Sequence, residues 1–198
     1  STKIKDTKYK HILDLSLNDD TNALYVDIET TGFSRKHDMI YLIGLLYEKD
    51  EDLVIEQYLC EKLSDEYELL YKFNQLVASF DQLVHFNGDS FDLPFIKERM
   101  HLYRLKENLS QLESLDFLKL LRPYKKVLGT DNLKLKTMEK LAGFSRLDLY
   151  SGGELIQLFK QFLDGNKDLE TSFILHNEED MIGLYYLNVF KPLLSLKE

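Results

Sequence analysis

An α/β fold, a mixed five-stranded sheet flanked by helices, is what this sequence predicts, and three observations carry that expectation. Apolar, β-prone runs dominate residues 24–59 and are joined by short polar loops. Helix-like and strand-like segments then alternate as far as residue 123, and from Asn132 onward only helical periodicity is left. Hairpin-joined strands pair antiparallel, whereas strands separated by helices pair parallel, so both kinds of pairing should meet in one sheet with helices on both faces.

Each element has its own justification. Residues 1–20 are polar and mixed in charge, and are expected to form a partly disordered leader in which 11–15 docks; residues 21–198 should form a single domain. Leu24, Tyr25, Val26 and Ile28 read as a buried strand. Residues 33–38 are a polar loop, and the unbroken apolar run 39–47 suits a central strand covered on both faces. A charged hairpin loop over 48–52 returns the chain into a strand over 53–59. Leu69, Leu70, Phe73, Leu76 and Val77 recur at helical spacing, which predicts a helix from Ser64 to about Ser79. Residues 82–86 form a fourth strand, followed by a helix starting around Pro94, where a first turn tolerates the missing N–H. A last short strand over 114–117 leads into a helix before Pro123, and helices follow over 133–141, 153–163 and 168–190.

Composition narrows the class. A chain of 198 residues with 44% hydrophobic and 30% charged residues is an ordinary globular protein. Cys60 is the only cysteine, so there is no disulfide framework and no thiolate metal site, and a reducing, cytoplasmic setting is expected. No segment reads as a secretory signal or is long enough to span a bilayer, so no membrane partner is expected. The net charge of −9 is unevenly spread. Between Lys119 and Arg146 eight basic residues stand against Asp131 and Glu139, a local net of +6 that leaves −15 on the remainder. Such a basic track beside an acidic centre suits a phosphate-backbone partner, although a solvated lysine-rich helix face has the same composition.

Four acids interrupt otherwise apolar settings. Asp27 and Glu29 lie two positions apart, so a strand points both from one face. Desolvating two like charges there costs several kcal/mol each, roughly, unless positive charge sits beside them. The chain then turns at Thr30, Thr31 and Gly32, small residues that let a ligand approach the backbone. Asn87 and Gly88 form a turn, after which Asp89 and Ser90 are the ordinary capping candidates, leaving Asp92 spare for another job unless it is itself the cap. In the last helix Phe173, Asn177, Asp180, Leu184 and Leu187 fall on one inward stripe, with His176 one turn before Asp180 and with Glu178 and Glu179 off it.

With those residues in place, the sequence resembles the DEDD superfamily of 3′→5′ exonucleases. Asp27-Ile28-Glu29-Thr30-Thr31-Gly32 looks like its first motif, Asn87 to Asp92 its second and His176 to Asp180 its third. Ser114-Leu115-Asp116, Leu133 to Glu139 and His176 to Asp180 are similar to the bacterial YprB-like, ribonuclease H-like group within it. The likeness covers roughly residues 24–190. It implies an RNase H-like fold, two divalent ions held by Asp27, Glu29, Asp92 and Asp180, and hydrolysis of terminal phosphodiesters. The superfamily places a tyrosine four residues before its last aspartate or a histidine five before it; here His176 stands at the tyrosine spacing.

The residues also suggest their roles. Four carboxylates without soft ligands favour Mg²⁺ or Mn²⁺, with Asp27 as the bridging ligand in a pair of ions about 3.5–4 Å apart. His176 is the candidate to take or orient the proton of the attacking water. Thr30, Thr31 and Phe33 are placed to meet a terminal nucleotide, Phe33 by stacking, and Asn87 to hold a neighbouring phosphate. The expected partner is single-stranded or 3′-ended DNA or RNA. Two rivals share the fold: a nucleic-acid-binding module without catalysis, and an endonuclease.

Overall fold

In the computed structural model, residues 2–4, 21–50, 52–148 and 150–197 are described. Six strands, β1 (Thr2–Ile4), β2 (Ala23–Thr30), β3 (Ile40–Lys49), β4 (Asp52–Leu59), β5 (Gln82–His85) and β6 (Glu113–Asp116), form one sheet in the order β1-β4-β3-β2-β5-β6. The five strands expected from the sequence are all there. The sixth is the three-residue β1, which pairs antiparallel with β4 at the edge and belongs to the stretch read as a leader. The rest of that leader, including the expected docking of 11–15, lies outside the described residues.

The predicted switch in pairing is observed. β2, β3 and β4 are antiparallel neighbours, whereas β5 runs parallel to β2 and β6 parallel to β5. The helices are α1 (Glu66–Val77), α2 (Asp92–Leu102), α3 (Phe117–Leu121), α4 (Leu135–Leu141), α5 (Gly152–Leu163) and α6 (Glu170–Tyr186), with a 3₁₀ stretch over Leu187–Lys197. Among the described residues no helix is long and apolar enough to cross a membrane.

Strand alternation decides where the acids of β2 point. Leu24, Val26 and Ile28 enter the core shared with Phe73 and Val77 of α1 and Phe95 and Ile96 of α2. Tyr25 faces the other way, into a second core with Val84, Met181 and Tyr185, the last two from α6. Asp27 and Glu29 share the face of Tyr25, and α6 packs across β2, β3 and β4 on that side. Near its end β2 carries a bulge: Glu29 pairs with Leu42 but Thr30 with Ile40, so Tyr41 is the extra residue. A bulge re-aims side chains beside it, and here it lies next to Glu29.

Candidate active site

Asp27 sits at the middle of the sheet. Its cross-strand partner is Gly44 on β3, whose own partner on β4 is Gln57. Gly44 has no side chain to lift α6, and a Cβ there would collide with the amide of Asn177. Asn177, fully buried, therefore drops onto the strand: its Oδ1 accepts from Gln57 Nε2 at 3.0 Å and its Nδ2 donates to Asp27 Oδ2 at 3.0 Å. Gln57 Nε2 also donates to the carbonyl of Ile174 at 2.9 Å, which fixes which way both amides face.

Asp92 is the first residue of α2, behind Phe91 at the cap position, and no side chain caps that helix. Asp89, one of the expected caps, is instead held by Ser114 and Lys119. Asp92 Oδ1 accepts the backbone N–H of Ile28 at 3.2 Å, tying the start of α2 to the strand that carries Asp27 and Glu29. The preceding turn needs Asn87 at φ +62, a left-handed conformation that asparagine tolerates. Asp116 secures it, since its Oδ1 accepts the N–H of Asn87 at 2.8 Å and that of Leu118 at 2.9 Å.

From α6, Asp180 and His176 complete the cluster. One oxygen each of Glu29 and Asp180 and a ring nitrogen of His176 lie within 4.8 Å of one another. His176 Nε2 is 3.3 Å from Asp180 Oδ2 and 3.6 Å from Glu29 Oε1, and its Nδ1 bonds Asp148 Oδ2 at 2.7 Å. Asp180 Oδ1 is taken by Arg146, whose guanidinium also grips Glu139.

The electrostatics show an excess of negative charge. Burial, then the charges of Asp180, Asp92 and Glu29, raise Asp27 well above the usual carboxylate range, against the hydrogen bond from Asn177. Burial lifts Glu29 to about 8 although His176 pulls the other way. Asp92 rises to about 7, chiefly through burial, with its two backbone hydrogen bonds opposing. For Asp180 burial acts upward too, but His176 and Arg146 outweigh it and hold the carboxyl low. His176 is the counterpart: burial disfavours its charge, yet the bond to Asp180 and the fields of Asp180, Glu29 and Asp148 lift it to about 9. At neutral pH His176 is therefore an imidazolium, a donor and not the free base that an unperturbed value would provide. Oxygen donors in excess, crowded until three resist ionisation, form a donor set suited to hard divalent cations. One oxygen of Asp180, engaged by Arg146, is the exception to that fit.

Two adjoining clefts open over the cluster. The larger, about 590 Å³, is lined by Asp27, Glu29, Thr30, Phe33, His176 and Asp180, with Lys134, Lys136 and Tyr150 opposite. The smaller, about 430 Å³, shares Asp27, Phe91 and Lys134 and adds Asn87 and Asp92. Phe33 is 77% exposed, so it is no core residue, and it meets Phe91 edge-on at 6.3 Å. Thr31 lines neither cleft: its hydroxyl accepts from Met39 N at 3.0 Å, closing the loop that follows β2. Thr30 is buried and donates to the carbonyl of Gly32 at 2.7 Å, so its hydroxyl is already engaged.

Sequence reasoning missed Arg146 and Asp148 as members of this cluster, and misplaced Glu179. Glu179 is 3% exposed, accepting the N–H groups of Leu147 and Asp148. It thereby anchors the loop that delivers both missed residues. The eight-residue basic track contained Arg146, but nothing in its spacing set it apart from the solvated lysines around it.

With the geometry established, known proteins provide the comparison. A family model of the RNase H superfamily matches residues 24–190. Among solved structures, the family B DNA polymerase from the hyperthermophilic archaeon Pyrobaculum calidifontis is similar in fold, with a TM-score of 0.71 at 14% identity. The match covers 89% of this chain but only 25% of the polymerase chain, so it speaks for the fold alone. No curated protein matches the chain.

Proposed function

This chain belongs to the RNase H superfamily, and on that premise we propose that it is a metal-dependent 3′→5′ exonuclease of the DEDD class, nearest to the YprB-like group, acting on DNA or RNA. The observation that carries the reading is the convergence of Asp27, Glu29, Asp92 and Asp180 on one pair of clefts, with three of the four raised by burial and then by one another's charge. Residues 21–198 would form the single catalytic domain, and the lone, buried Cys60 supports a reducing, cytoplasmic setting.

Two Mg²⁺ or Mn²⁺ ions, which Asp27, Glu29, Asp92 and Asp180 would hold, would supply charge for the attacking and leaving oxygens of the phosphodiester. The chain's own groups do the rest. Asn177 orients Asp27, and Ile28 N–H orients Asp92. His176 releases its second proton only once the carboxylates around it are neutralised, and in that state its Nε2 can orient or accept the proton of a water. Asp148 on Nδ1 keeps the ring turned toward Glu29 and Asp180. Exposed Phe33 offers a stacking face for the last base, and Lys134 and Lys136 bring the basic track to the cleft wall. Asn87, in the lining of the second cleft, meets the next phosphate.

The test is timed digestion of matched, end-labelled DNA and RNA strands with Mg²⁺, Mn²⁺ or EDTA, alongside Asp27→Ala. Mononucleotide release from the 3′ end, lost with EDTA and with Asp27→Ala, is expected. Cleavage of closed circles would transfer the site to an endonuclease. Retention of labelled strands without any release would favour a binding module, the reading that the Arg146–Asp180 pair supports.

A further inference from the structure

Arg146 touches the acidic cluster through Asp180, and the exonuclease reading does not require it. Its Nε donates to Glu139 Oε2 at 2.6 Å, and its Nη2 is shared between Glu139 Oε1 and Asp180 Oδ1. Nη1 is buried without a hydrogen-bond partner and lies 3.9 Å from Asp148 Oδ2. Glu139 is 1% exposed and bedded against α6 at Gly183, where a Cβ would collide with its carboxylate. The guanidinium is thus gripped from α4 and cannot leave Asp180 without stranding a buried carboxylate, an expensive arrangement.

We infer, resting on the metal-site reading above, that Arg146 is a built-in counter-cation: it stays on Asp180 Oδ1 when a divalent ion binds, leaves Oδ2 as the only ligand atom of Asp180, and holds the ion affinity of the site down. The orientation of the two oxygens fits this division. Oδ1 faces Arg146, whereas Oδ2 faces His176 Nε2, the side on which Glu29 also lies. Like charges at such range repel strongly in a site screened from water, so a fixed guanidinium works against a second cation in its neighbourhood. Its gain is a cluster that tolerates its own acids before any ion arrives. Its cost is an ion that binds firmly only when further negative ligands, such as a substrate phosphate, join it.

The experiment measures Mn²⁺ binding to the full chain without nucleic acid, by the fall in the free-ion paramagnetic resonance signal. Glu139→Gln combined with Arg146→Met removes the cation together with the charge it neutralises, and should tighten Mn²⁺ binding about tenfold or more. Arg146→Lys, which keeps the charge, should leave the affinity near wild type; a structural role alone would not separate these two variants. Thermal melts in EDTA check folding, and if that double variant does not fold, Glu139→Gln with Arg146→Gln, which keeps polar groups in both places, carries the same comparison. Unchanged or weaker binding on removal of the charge overturns the inference. Asp27→Asn separates the two levels: if it binds Mn²⁺ as well as wild type, the metal-site reading itself falls, whatever Arg146 does.

Discussion

Two buried arginine–carboxylate pairs in this protein differ in what surrounds them. Glu66, fully buried at the start of α1, receives Arg99 Nε at 2.9 Å and Nη2 at 2.5 Å, with Ile40 N–H at 2.8 Å and the Tyr103 hydroxyl at 2.9 Å. Both of its oxygens are satisfied and its charge is cancelled on the spot. Arg146 instead answers to Glu139 and Asp180 with Asp148 behind, while Glu29 must share His176 with Asp180, and among the described residues no cationic side chain pairs with Asp27 or Asp92. A buried charge is therefore no sign of function in itself. The surplus is, because only a surplus calls for something from outside.

The sharpest way to break this contrast is Asp27→Asn. Metal-dependent release of nucleotides should drop to background, while the melting temperature in EDTA holds or rises as repulsion is relieved. A large loss of stability would instead put Asp27 in the same structural role as Glu66. Arg99→Met is the reverse test: it should cost about 3–5 kcal/mol in urea unfolding, because a buried carboxylate is left uncompensated. Mn²⁺ affinity should not move. A loss below about 1 kcal/mol would reduce this pair to the worth of a surface ion pair.

Much of this contrast was legible in the sequence, and the illegible part has a physical cause. The paired acids of β2 declared themselves by period-two spacing and Asp180 by its place on an apolar stripe. The parallel and antiparallel pairings followed from which connections contain helices. Glu179 was read off the inward face because helical spacing sees only the helix's own axis. It is buried by the loop before α5, which wraps the flank of α6 and donates two N–H groups to it. Arg146 and Asp148 ride on that loop, where no periodicity exists to mark a side chain as inward. Asn177 was visible on the stripe, but its role depended on Gly44 and Gln57, which meet it only through strand register.

Gly44 sharpens the comparison from the side of packing. Gly44→Ala should push Asn177 off Asp27 and cost about 10–100-fold in metal affinity or turnover, as loss of an outer-sphere partner does. Overpacking adds about 1–3 kcal/mol of destabilisation. Unaltered kinetics would show that the amide only fills space.

The smallest expected effect is a pH slope. Glu29 titrates at about 8 in the fold against an ordinary 4.5, and His176 at about 9 against 6.5. Between those limits the folded chain holds protons that the unfolded chain has released, so stability falls as pH rises. The Glu29 contribution is whole below pH 4.5 and gone through 8; that of His176 is whole below 6.5 and gone through 9. Asp180, held below its usual range, runs the other way but only in acid, losing its contribution as pH falls below 3.8. Melting temperatures in EDTA should thus decline from pH 5 to 9, and saturating Mg²⁺ should flatten the decline. An upward slope in EDTA would mean the acids are not crowded.

The bond between Asn177 and Asp27 spans 150 positions of chain. A polypeptide still emerging from the ribosome will have laid down β2 and α2 long before α6 exists to cover them. Until residues 170–186 dock, Asp27 lacks its amide and the larger cleft lacks Asp180 and His176. The acidic cluster is thereby incomplete in the nascent protein until α6 has been made.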